Sequence, residues 1–435
     1  MRGKTGGTGW TGRRGRTRTV TCVVVRIIFV SFVSFVSFVR CAEAQALSQR
    51  GFIEGDAWLF PQEALNDPTQ AIGDLLARED LFFKPAPWIQ FAAGFDLRAN
   101  SHDQVDDSWR LDVDDRGVKR PRASLRRLSA TFNHGPLTID VGKQFIRWGK
   151  ADIINPTDRF APRDYINVVA PEFLGVTGVR AVVLHGAETF EAVWVPRFTP
   201  SRVPLLDQRW TVVPPAAAGV PIVDAGSIFP EGAQTGVRWG HAGSGYEYSL
   251  SFFDGFNNLP NVGQVGQVGQ VGTIALTRTY PSIRTYGADT AVPTPWFTIK
   301  AEAAYFTSST PMTDEYVLYV VQVERQTGEW VIVAGYAGDV TTKRRAAFGF
   351  APDRGLARSI VARASYTIDP LRSIAFETAI HQNGHGAFAK AEYSQARGPH
   401  WRATFTGVAI AGQDDDFLGQ YHRNSYLSAA LRYSF

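Results

Sequence analysis

The sequence predicts an all-β fold, a transmembrane antiparallel β-barrel of about sixteen strands with short turns at one end and long loops at the other. Three observations predict it: an amino end built like an export signal, a last strand with two chemically different faces, and the same two-faced alternation recurring between them.

Residues 1–26 carry Arg2, Lys4, Arg13, Arg14, Arg16, Arg18 and Arg26 and no acid. Ile27 to Val39 is apolar apart from serines, and Ala44-Gln45-Ala46 supplies small residues for cleavage. The pattern predicts a signal peptide over 1–46. Thirteen residues broken by Ser31, Ser34 and Ser37 are too short for a membrane helix, which needs about 20. Arg40 before Cys41 argues against a lipid anchor on that cysteine.

Removing this segment changes the charge. It holds eight of the 45 Lys/Arg and one of the 41 acids, so the remainder is slightly acidic, at −3. The basic balance of the whole chain therefore carries no argument for nucleic acid as a partner. Both cysteines, Cys22 and Cys41, leave with the signal, so disulfides contribute nothing to the exported protein.

In the last strand, Leu427, Ala429, Leu431, Tyr433 and Phe435 share one face; Tyr426, Ser428, Ala430, Arg432 and Ser434 share the other. That split suits a wall between lipid and a wet lumen. The aromatic ending is similar to the terminal strand of bacterial outer-membrane barrels, which implies that Tyr433 and Phe435 form an assembly signal read by the barrel-assembly machinery.

The alternation recurs. Tyr246, Tyr248, Leu250 and Phe252 oppose Glu247, Ser249 and Ser251; Ile299, Ala301, Ala303 and Tyr305 oppose Lys300 and Glu302. Ile360, Ala362, Ala364 and Tyr366 oppose Arg363, and Ile374, Phe376 and Ile380 oppose Glu377 and His381. A charge facing lipid at mid-membrane costs about 2–4 kcal/mol, which places the charged row inside. The lumen-lining candidates are Arg180, Glu247, Lys300, Glu302, Arg363, Glu377, Lys390, Glu392, Arg402 and Arg432. Mixed signs predict weak ion preference.

Tight turns at His134-Gly-Pro136, His185-Gly-Ala-Glu188, Ala242 to Gly245, Gln326 to Glu329, Asp369-Pro370 and Arg397-Gly-Pro399 alternate with long polar stretches. With both ends on the side of the short turns, sixteen strands are counted over 86–435, one of them at 273–286; the count allows fourteen or eighteen. Residues 47–85 fall outside it and are expected to form an amino-terminal periplasmic extension or plug, or an extra strand pair. The Val-Gly-Gln repeat within 262–272 has loop-like glycines but no Lys-Ser/Thr following, so it is not a nucleotide loop.

The densest chemistry lies in residues 141–165. A strand passes into a loop fixed by Pro156 and Pro162, with Lys143, Arg147, Lys150, Arg159 and Arg163 against Asp152, Asp158 and Asp164. Close alternating charge and proline stiffen a loop, so it is expected to fold into the pore and constrict it. The constriction candidates are Lys143, Arg147, Trp148, Asp152, Asp158, Arg159, Arg163 and Asp164, acting either on a permeating solute or simply as loop anchors.

The run Gly142-Lys-Gln, Arg147-Trp-Gly149, Asn155-Pro-Thr-Asp158 and Pro162-Arg-Asp164 resembles a motif in a large group of Gram-negative outer-membrane barrel proteins, similar in appearance to alginate-export porins. The resemblance implies a channel or exporter for polar or amphiphilic solutes, without enzyme activity. Outer-membrane lipids and lipopolysaccharide are its implied surroundings. A lipid hydrolase is the competing class, but no nucleophile-elbow serine and no His-Glu-x-x-His is present. A structural or adhesive barrel with a filled lumen is the third reading. No cofactor is expected. His381 and His385 flank a turn rather than a metal-binding helix face, and Asp414–Asp416 with Asp112, Asp114 and Asp115 fit solvated loops better than a calcium site.

Overall fold

A computed structural model describes residues 47–212, 220–268, 273–345 and 351–435. The expected signal peptide lies outside the described residues. Eighteen antiparallel strands form one closed sheet. The last strand, Tyr426–Ser434, pairs with the first, Leu47–Leu59, in a register that sets Phe52 opposite Ser434 and Leu59 opposite Leu427. Beyond it, Gly51 and Phe435 exchange backbone hydrogen bonds of 3.1 and 3.0 Å.

Period-two alternation builds the wall. Leu427, Leu431, Ile360, Phe376, Ile380 and Leu250 are exposed on the outer face, whereas Tyr426, Val361, Ala379 and Ser249 on the alternate positions are buried within. The tight turns take left-handed backbone at Gly135, Gly186, Gly328 and Gly398, which two-residue hairpins require. Among the described residues, the long connections leave the wall at the opposite rim.

Two corrections concern the strand count. Eighteen, which the sequence count allowed, replaces sixteen: Leu47–Leu59 and Ala71–Ala86 are wall strands, so of the alternatives for residues 47–85 the extra strand pair holds, not the extension or plug, and the barrel begins before 86. Their pattern is weak. The first puts glycines (Gly51, Gly55) on its outer face and Phe52 and Trp58 inside. The second mixes apolar and charged residues inside, with Ile72 and Leu76 beside Asp74, Arg78 and Asp80, and sets Glu79 between Leu75 and Phe83 outside.

The strand expected at 273–286 is really two elements. Thr273–Thr279 joins Ile222–Ile228 and Asn261–Val268 in a separate three-stranded sheet, and Ser282–Pro293 enters the wall. Pro281, with no N–H to give, separates them.

One outward side chain breaks the charge rule. Glu79 stands on the outer face yet is only 4% exposed. A β-carbon at neighbouring Gly51 would meet both its carboxylate and the Phe435 ring, so the acid sits in the notch left by Gly51, beside that ring.

Candidate functional site

The wall strand Leu137–Gln144 ends there, and residues 145–175 turn into the barrel. There they meet inward-facing side chains from most of the circumference. Trp148 lies 2% exposed, its indole N–H donating to Glu191 at 2.7 Å. Phe160 meets the Trp148 and Phe253 rings edge-on, at 5.1 and 5.0 Å. Two glycines of the inner wall make the seat. A β-carbon at Gly236 would stand 2.7 Å from Trp148, and one at Gly287 would stand 2.6 Å from Thr157.

Glu302 and Gln322 grip the loop backbone. Glu302 accepts the N–H groups of Lys150, Ala151 and Thr157 and the Thr157 hydroxyl, at 2.8–3.2 Å. Gly149, at φ 91°, lets that carboxylate approach: a β-carbon there would lie 2.6 Å from it. Gln322 accepts from the N–H groups of Asp152 and Ile153 and donates to the Asp152 carboxylate. Glu302, expected in the open lumen wall, is 2% exposed and serves as a receptor for the loop. Glu191, Gly236, Gly287 and Gln322 were not singled out from sequence, since an isolated acid, amide or small residue in a strand carries no signal there.

A buried ionic chain ties three long loops together. Arg120 pairs with Asp164 at 2.9 Å, Arg202 with Asp164 at 3.4 Å and with Asp115 at 2.7 Å, and Asp115 with Lys143 at 2.5 Å. Burial would raise the Asp164 carboxyl, but Arg120 and Arg202 hold it well below the usual carboxylate range. Lys143 thus anchors loops and does not line the constriction. Further along, Glu172 meets Arg98 at 2.7 Å and Arg78 at 3.1 Å. Burial opposes ionisation, yet these arginines bring Glu172 down to about 2. Asp158 is the reverse: burial pushes its carboxyl up in spite of Arg147 at 3.3 Å.

Of the other constriction candidates, Trp148, Asp158 and Asp164 are buried. Arg147 and Asp152 keep 48% and 49% of their side chains exposed. Arg147 and Arg163 both stack on Phe173, at 4.0 and 4.5 Å, and Arg159 covers Phe306 at 4.8 Å while pairing with Asp353 at 3.6 Å.

Around the wall, opposite charges pair: Lys300 with Asp152 and Glu324, Glu247 with Lys150, Arg180 with Glu191, Lys390 with Glu392, and Arg432 with Glu54. Arg363 stands opposite Glu377 in the ladder, and Arg402 donates to Ser394. On a further sector the inner face turns apolar. Val361, Ala379, Phe388, Val408, Ile410 and Tyr426 cluster with Leu418 and Tyr421, and Ile153, Val168 and Val169 of the loop pack against them. A cavity of about 240 Å³ remains here, edged by Arg159 and Arg163. No group of residues arranged to hold a metal occurs among the described residues.

The closed wall and lumen-crossing loop define a porin-like barrel. Solved structures share this architecture: a BenF-like porin from Pseudomonas fluorescens Pf-5 (TM-score 0.52, 9% identity, 90% of this chain and 97% of that one), OccAB4 from Acinetobacter baumannii (0.51, 11%, 89% and 97%) and OpdQ from Pseudomonas aeruginosa (0.51, 7%, 90% and 98%). At such identities the likeness is one of fold. No family model and no curated protein matches the sequence.

Proposed function

We propose that the protein is a passive outer-membrane channel through which polar or amphiphilic solutes diffuse, without chemical conversion or energy input. The observation that carries this reading is the loop of residues 145–175, held inside a closed wall with Arg147 and Asp152 still exposed. A loop serving only to fill the barrel has no need of exposed charge. Exposed groups of both signs, with Glu247 and Glu172 answering Arg147 and Arg432, favour weak ion preference over strong selection.

The apolar outer face suits acyl chains, with lipopolysaccharide at the long-loop rim. Tyr433 and Phe435 on the closing strand are the proposed recognition point for the barrel-assembly machinery. Liposome swelling with graded neutral sugars tests the reading. Swelling that falls with sugar size supports an open, size-limited passage. Swelling no faster than in protein-free liposomes for every sugar overturns it and leaves the filled, structural barrel.

A further inference from the structure

The strand Arg372–His381 delivers an imidazole to the long-loop rim, facing inward and only 9% exposed. Its Nδ1 lies 2.5 Å from an Asp416 carboxylate oxygen, and its Nε2 lies 3.1 Å from the Gly355 carbonyl oxygen. Both neighbours can only accept: a carbonyl has no proton, and the carboxylate already takes the N–H groups of Leu418 and Gly419 on its other oxygen. A neutral imidazole has one N–H, so it satisfies one neighbour and turns a lone pair on the other. Only the doubly protonated ring donates to both.

The two acceptors belong to two different loops. Gly355 lies in the connection before Ser359, and Asp416 lies in the one after Gly412. The Phe417 ring presses on Gly355 so closely that a β-carbon there would overlap it. Leu356 and Phe417 line the same interior cavity as the constriction loop. We propose that His381 is a pH-sensitive pin: as an imidazolium it clasps these two loops together over the lumen, and loss of its proton releases the Gly355 side.

On the neutral ring the one N–H stays on Nδ1, facing the carboxylate, because that is the stronger acceptor. Burial would raise the Asp416 carboxyl, but the His381 bond and two backbone donors hold it low. The other charged groups on the packed elements are committed elsewhere. Arg354 and Arg358 pair with Asp339, Asp353 with Arg159, and Asp414 with His422. On the ring's own strand Glu377 stands between Arg363 and Lys390. Asp415, Arg423 and His385 complete the set on these elements.

The pin is a direct structural claim; only its effect on flow rests on the channel reading. The test is hydrogen exchange of residues 351–358 in the full-length protein, corrected for intrinsic rates, between about pH 5 and 8 where histidine titrates, with bilayer conductance recorded in parallel. The expected result is a loss of about fivefold in protection as pH rises, the scale of one hydrogen bond, and a pH-independent profile in His381→Gln. Unchanged protection in the native chain, or the same pH dependence in His381→Gln, overturns the pin. If that variant does not fold, ring ¹⁵N shifts of the native protein decide: two protonated nitrogens at low pH support it, and a neutral ring throughout overturns it. A pH-dependent exchange without conductance at any pH would sink the channel reading and spare the pin.

Discussion

The lumen-crossing loop is held differently on two sides. Between Glu188 and Thr327 it is fastened by named polar acceptors: Glu191, Glu302 and Gln322 each receive particular N–H groups, so a shift of one residue along the loop would orphan several donors. Between Ser359 and Ser434 it rests on Val361, Phe388 and Ile410, surfaces that accept any apolar partner of similar volume. The first side thus fixes register and also adheres, through Ile146, Trp148 and Phe160 packed on Phe253 and Phe306, whereas the second supplies adhesion without such acceptors. Conductance should therefore be sensitive on the first side and tolerant on the second.

The hardest blow to this contrast is Glu302→Ala, which leaves three backbone N–H groups and a hydroxyl without an acceptor. Loop docking should weaken by about 3–5 kcal/mol. Bilayer recordings should show larger, noisier openings, and protease should cut within residues 147–160. Unaltered conductance would mean that the polar side does not set the register.

Asp164→Asn comes next. It removes the shared partner of Arg120 and Arg202, at a cost of about 3 kcal/mol. The heat needed to unfold the barrel, read as a gel-mobility change, should fall.

A smaller effect concerns acid. Glu172 is depressed in the folded chain, so its contribution is present above the unfolded value of about 4.3 and is lost only as pH falls through about 2. In a His381→Gln background, conductance should hold steady from pH 7 to about pH 3; a new, wider state at about pH 4 would show that Glu172 does not tether the loop. The smallest change is expected for Phe388→Leu, below about 1.5 kcal/mol and without effect on conductance. A marked change in single-channel current would show that the apolar side also sets geometry.

Much of the wall was legible because a strand facing lipid must alternate, and the segments around Tyr246, Ile299, Ile360 and Ile374 do so without interruption. Leu47–Leu59 and Ala71–Ala86 escaped because glycine on one face and phenylalanine or leucine on the other erase the contrast between flanks. The loop announced itself through its prolines and close charges. Its receptors did not, because an inward glutamate looks the same in sequence whether it meets water or a backbone N–H. Glu302 and Lys143 were both named, and only packing distinguishes their tasks. In sequence His381 shows its inward row and a neighbouring turn but not its task, since its two acceptors lie 26 and 35 residues away.

Because residues 145–175 press on inward side chains from Glu191 to the cluster around Tyr426, the loop works as a mandrel for the sheet wound about it. A hoop bent over a fixed former takes its girth from that former. Shortening the segment by a few residues should then alter the wall's curvature, even at strands more than two hundred positions further along the sequence.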